Sequence, residues 1–200
     1  MTFNPTRLAL VAALAAGALT TAACGSMDSM DSMSSGADAQ GTVMVGGAAM
    51  YPTRNIVENA VNSADHTTLV AAVTAAGLAP TLSGPGPFTV FAPTNAAFAK
   101  LPAGTVDTLV QPANRATLTK ILTYHVVPGR VSAADLTAQI RAGGGQAYLT
   151  TVEGGTLTAS VRNGSVILTD EMGGVATVTQ ADVFQSNGVI HVTDTVSMPN

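Results

Sequence analysis

Apolar positions change their rhythm along the chain. An unbroken apolar run, "LALVAALAAGAL", spans residues 8–19. Residues 25–51 then show no period at all. From Pro52 onward, helical spacing dominates. Ile56, Val57, Ala60 and Val61 share one face of a short predicted helix. Leu69, Val70 and Val73 point inward on a second, which Ser63 or Asp65 can cap and Gly77 ends. The segment "PFTVFAPTNAAFAKLP" (87–102) interrupts this with alternation. Phe88 and Val90 face one way, Thr89 and Phe91 the other. Pro93 has no amide to donate and ends the strand. Thr94 or Asn95 can accept from the open amides of the helix that follows, and Pro102 stops it.

Pro112 suits a first helical position, and Leu118, Ile121 and Leu122 form the next apolar stripe. His125 continues that buried face, and Pro128-Gly129 turn the chain out. Ser132 caps one more short turn. The last fifty residues alternate instead. "TLTASVRNGSVILT" (156–169) reads as a hairpin around the Asn163-Gly164 turn. Asn187-Gly188 precede a final strand on which Ile190, Val192, Asp194 and Val196 share one face. An aspartate among aliphatics needs hydrogen bonds or it costs several kcal/mol. His66, in the first turn of its helix, is expected to face solvent as a neutral ring.

Composition narrows the partners. Apolar residues make up 46%, but charged ones only 10%, against about 25% in an average domain. A net charge of −4 offers no basic field for a phosphate backbone, which excludes nucleic acid as a partner.

The start of the chain reads as a targeting segment. Arg7 supplies the positive end, the apolar run is too short to span a bilayer comfortably, and "TTAAC" follows. Cys24 is the single cysteine, so it forms no internal disulfide. Three readings of it stand: a buried thiol, a leader cut before it, or a lipidated N-terminus. Residues 1–23 resemble a bacterial lipoprotein signal, with Thr21 where that motif usually has Leu. Residues 24–52 read as a flexible Met/Ser/Gly-rich tether, with a reach of about 30 Å. Within it Met27, Met30 and Met33 repeat every third residue, a spacing of soft thioethers that suits Cu(I). Tandem duplication of "MDS" explains the same spacing.

Two separated stretches carry a family resemblance. "TVFAPTNAAFAKLP" (89–102) resembles the first box of the fasciclin domain, and "NGVIHVTDTVSMP" (187–199) the second. "LTYHVVPG" (122–129) is similar to the family's Tyr-His element. The resemblance covers about 53–199, and Thr193 and Ser197 stand where larger aliphatics are common. It implies an α+β fold, a fasciclin-type compact β-sandwich or wedge with short helices packed on it. It also implies that the two boxes lie on neighbouring central strands, with Thr89, Phe91, Pro93, Thr94, Asn95, Phe98, His191 and Asp194 as structural motif residues. Tyr124 and His125 correspond to a pair linked to binding.

Two structural expectations accompany it: His125 donates to a backbone carbonyl near the second box, and the Asp194 carboxylate accepts amides at the Thr94-Asn95 corner. No G-x-S-x-G, clustered metal ligands or phosphate loop is present. The expected function is therefore a binding or adhesion module in the cell envelope, held by its lipid anchor or secreted. It is not read as an enzyme and needs no cofactor. Its expected partner is an extracellular or envelope protein or polysaccharide. The alternative is an envelope stress or Cu(I)-interacting protein working through the Met-rich tether.

Overall fold

Local signals set most element boundaries in the computed structural model, which describes residues 41–200. A hairpin comes first: β1 (Val43–Val45) and β2 (Ala48–Met50), turned at Gly46 and Gly47, both with positive φ. Helix α1 (Ile56–Ala60) begins at a capping box. The Asn55 side chain accepts from the Glu58 amide, and the Glu58 carboxylate accepts from the Asn55 amide. A 3-10 turn, Ala64–His66, leads into α2 (Thr67–Ala76), which ends at a left-handed Gly77. Then come α3 (Ala79–Leu82), β3 (Phe88–Pro93), α4 (Asn95–Ala99), α5 (Thr105–Leu109), α6 (Arg115–Tyr124) and β4 (Val126–Pro128). Ser132 and Asp135 box the start of α7 (Ala133–Ala142). Five strands complete the chain: β5 (Gln146–Thr150), β6 (Thr156–Arg162), β7 (Ser165–Thr169), β8 (Val175–Gln185) and β9 (Gly188–Thr193).

Seven strands form one sheet in the order β4-β3-β9-β8-β7-β6-β5. Neighbours run antiparallel except β3 and β9, which are parallel with Val90 opposite Ile190. Strand β8 slips register between Val178 and Gln180 and again between Gln180 and Val183. Such bulges bend a strand and raise its twist. The far ends of the sheet meet, because the Val152 amide donates to the Val126 carbonyl at 2.7 Å. The expected sandwich is thus one sheet curled back on itself, with the helices packed on it.

Two cores result. Ile56, Leu69, Val73, Leu122, Val90 and Ile190 fill the space between helices α1, α2 and α6 and the central strands. Phe91, Tyr124, Leu136, Leu157 and Leu168 fill the inside of the curl. Successive residues of β3 therefore serve different cores. All six residues of β9 are buried, as expected for a strand covered on both faces.

The folded part starts before residue 52, so the tether does not run that far. Val45 and Met50 are 4% and 2% exposed and belong to the first core, and Gln180 Nε2 donates to the Met44 carbonyl at 3.0 Å. Strands of three residues on either side of a Gly-Gly turn are too short to produce readable alternation. Their stability comes from tertiary burial.

Candidate functional site: two segments joined as a parallel strand pair

The first and second boxes run side by side. Six register pairs join β3 to β9, from Phe88 opposite Gly188 to Pro93 opposite Thr193. Only glycine fits at 188, because a Cβ there would lie 2.1 Å from the Phe88 carbonyl oxygen. Beyond the strand ends, the Thr94 amide donates to the Thr193 carbonyl at 3.2 Å. Thr94 Oγ1 accepts from the Ala97 amide and caps α4. Asn95 turns the other way: its Oδ1 accepts from the Thr68 amide at 3.0 Å, and its Nδ2 donates to the Ala64 carbonyl at 2.8 Å. It thereby ties the start of α2 to the corner. Thr89 Oγ1 donates to the Gly129 carbonyl at 2.7 Å and accepts from the Val131 amide at 2.9 Å. Phe98 is buried in the first core.

Asp194 departs from expectation. Strand β9 ends at Thr193, so the aspartate leaves the aliphatic face and sits at the sheet rim. Its carboxylate accepts from the Thr177 amide at 2.7 Å and pairs with Lys100 at 3.3 Å, and it takes nothing from the Thr94-Asn95 corner. Partial burial pushes its pKa up. The Thr177 amide, the Thr195 hydroxyl and Lys100 outweigh that and hold the carboxyl below its ordinary value.

All three histidines are buried. The Ser197 amide lies 3.0 Å from His125 Nε2 and must be the donor, so the ring proton sits on Nδ1 and goes to the Ile121 carbonyl at 2.8 Å. The expected direction is inverted: the second box donates to the ring. His191 follows the same logic. Its Nδ1 accepts from the Asp182 amide at 3.3 Å, its Nε2 donates to the Val131 carbonyl at 2.8 Å, and its ring stacks on Phe91 at 5.5 Å. His66, expected in solvent, is 3% exposed. Ser63 Oγ lies 2.8 Å from its Nδ1, while Nε2 is enclosed without a hydrogen bond. The helix pattern placed His66 outside because nothing local reveals the sheet and hairpin that cover it. Burial lowers the pKa of each ring. The Ala92 carbonyl opposes this at His66 without completing a hydrogen bond.

Tyr124 has no exposed surface. Its hydroxyl donates to the Thr156 carbonyl at 2.8 Å and accepts from the Glu171 amide at 3.2 Å. Burial above all pushes its pKa up to about 12. Tyr124 offers a partner no accessible surface, and His125, 3% exposed, offers almost none, so little of the pair implied for binding is open to a partner.

Other polar residues hold the segments in ways no local pattern signalled. Asn187 reads in sequence as a turn residue. Its Oδ1 accepts from the Ile56 amide at 3.0 Å, and its Nδ2 donates to the Leu82 and Gly84 carbonyls at 2.7 and 2.9 Å. Asp170, almost fully buried, accepts from the amides of Met172, Gly174 and Met198. Asn59 and Gln185 hydrogen-bond each other in the interior.

An apolar crevice of about 70 Å³ opens between α1, α2 and α6. Ile56, Leu69, Val73, Val90 and Leu122 wall it; His125 touches it and Asp194 does not. Among the described residues, no group of three His, Cys, Asp or Glu could hold a metal, and no helix is long and apolar enough to cross a membrane. Cys24, Met27, Met30 and Met33 lie outside the described residues.

The Fasciclin domain family model matches residues 64–199. The chain belongs to the fasciclin family. Protein sll1483 of Synechocystis is 49% identical over 158 residues, which cover 79% of this chain and 81% of that one. The cell surface glycolipoprotein MPB83 of Mycobacterium bovis is 36% identical over 122 residues, 61% of this chain and 48% of that one. Among solved structures, the FAS1 domain pair of the insect cell adhesion molecule fasciclin I superposes with a TM-score of 0.64 at 17% identity, over 72% of this chain and 50% of that one. In this fasciclin domain, the two boxes are the parallel pair of the sheet, second and third in its order of seven strands.

Proposed function

We propose that this fasciclin domain is an exported binding module that mediates adhesion at the cell envelope, anchored by a lipid on Cys24, and that it carries out no catalysis. One observation carries the reading. Every chemistry-bearing side chain of the two boxes and the Tyr-His element is occupied in holding the domain together, so function is left to the outer surface. MPB83, by its name a cell surface glycolipoprotein, and fasciclin I, an insect cell adhesion molecule, support the location and the role. A protein with only 10% charged residues binds through shape, backbone polarity and a few charged contacts. Single contacts are then weak, and many copies on one surface provide useful attachment.

The test is a deletion strain scored for attachment to surfaces and to matrix polymers. Restoring the full chain should restore attachment. Restoring Cys24→Ala should release the protein to the medium and leave attachment low. Normal attachment by the deletion strain would end the adhesion reading. A variant lacking residues 25–40 separates the Cu(I) alternative, which predicts lost metal tolerance with attachment intact.

A further inference from the structure

The tip of the β8–β9 hairpin gathers cations and aromatic rings from distant parts of the chain. The Ser186 amide donates to the Arg54 carbonyl at 2.9 Å, which brings the loop before α1 to one side of the tip. On the other side, Arg130 Nη2 donates to the Gln185 carbonyl at 3.0 Å and reaches the Ser186 carbonyl at 3.4 Å. The Arg54 guanidinium lies 4.8 Å from the centre of the Tyr51 ring. Tyr51 is 38% exposed and Phe184, next to the tip, 40%. Ion pairs among the described residues form at Lys100–Asp194 and Lys120–Glu153, and neither arginine takes part in one. The neighbouring acids are engaged at helix starts. Glu58 accepts from the Asn55 amide and Asp182 from the Ala133 amide. Two exposed arginines without carboxylate partners therefore meet the backbone of an exposed turn, with one exposed ring beside Arg54 and another on the strand that leads into the turn.

This combination selects a ligand. A guanidinium fork binds a carboxylate through two parallel hydrogen bonds. An exposed ring with a polar environment packs against the apolar face of a sugar. A nucleic acid carries a charge about every 1.7 Å of helix, a density that two guanidiniums on a chain of net charge −4 cannot match. A sugar polymer with one carboxylate per residue places its charges further apart and adds stacking faces. We propose that the β8–β9 tip binds an acidic polysaccharide of the uronate type, with Arg54 and Arg130 holding carboxylates and Tyr51 and Phe184 packing on sugar rings. This rests on the reading of the domain as a binding module and names its partner.

The test measures binding of the full chain to immobilised polygalacturonate, with neutral dextran and polyphosphate beside it. Polygalacturonate should bind best, and its affinity should fall about tenfold between 50 and 200 mM salt, as for about two released counterions. Arg54→Gln with Arg130→Gln should weaken it tenfold or more, with the melting temperature recorded alongside; glutamine at 130 keeps an NH2 group for the two carbonyls. Arg54→Gln alone, whose guanidinium touches only the Tyr51 ring, should weaken it several-fold and covers the case in which the double variant misfolds. Arg141→Gln on α7 should change nothing. Tyr51→Leu with Phe184→Leu should erase the preference over polyphosphate. Dextran binding equally well, polyphosphate binding equally well to the unsubstituted chain, or a folded arginine variant with unchanged affinity would overturn the proposal. Absent polymer binding alongside attachment lost in the deletion strain would overturn this site alone and leave the adhesion reading standing.

Discussion

At the scale of single residues, the side chains that most resemble catalytic groups are cross-links. His125 joins α6 to the second box through one accepted and one donated hydrogen bond. Replacing it with alanine strands the buried Ser197 amide and leaves a cavity, so a loss of about 3 kcal/mol is expected in urea unfolding. Asn187 supports three backbone groups from two other segments. Asn187→Ala should cost about 2–4 kcal/mol by the same measurement, while Asn187→Asp should keep only the bond from the Ile56 amide. Gly188→Ala should be worse than either, since a methyl group would meet the Phe88 carbonyl and the central pair cannot move apart cheaply. A variant at 188 with native stability would contradict the close approach of the two strands.

At the scale of elements, α1, α2, α4, α6 and the Asn163-Gly164 hairpin were legible because each carries its own cap, period or turn residues, whereas α7, expected as one short turn after Ser132, runs for ten residues, and α3 and α5 gave no signal. The corner at Thr94-Asn95 was half legible. Capping by Thr94 is local, but Asn95 acts on α2, some thirty residues earlier, and no local pattern reveals that. That β3 and β9 are neighbours came from the family resemblance, and their parallel direction only from the structure, since pairing partners a hundred residues apart leave no trace in periodicity. The β1–β2 hairpin was missed because it is too short to show alternation, although Val45 and Met50 complete a core. Removing residues 41–50 should therefore lower the urea midpoint, with about 3–5 kcal/mol lost from two uncovered side chains and the surface they cover. An unchanged midpoint would mean that the hairpin only rests on the domain.

At the scale of the whole molecule, three buried neutral histidines make stability depend on pH. Each has a folded pKa below its ordinary 6.5. Above that value both folded and unfolded chains hold neutral rings, and stability is complete. As the pH falls through 6.5, the unfolded chain takes up protons that the folded chain refuses. The loss is at most about 1.4 kcal/mol per pH unit for each ring until its folded pKa is reached. Asp194, whose pKa is lowered, extends the loss below its ordinary 3.8. Chemical denaturation at pH 7.5, 6.0 and 5.0 should show midpoints that decline in that order, and a flat series would mean that the rings are protonated within the fold. The order of strands has a consequence for the sequence of folding events. Strand β9 lies inside the sheet between β3 and β8, yet its residues stand a hundred positions after those of β3. During synthesis β3 and β4 can pair early and β5 to β8 can pair in succession, but the two groups have no strand between them until β9, the last to arrive, joins β3 to β8. The last strand to be made is therefore the one that locks the two halves of the sheet together.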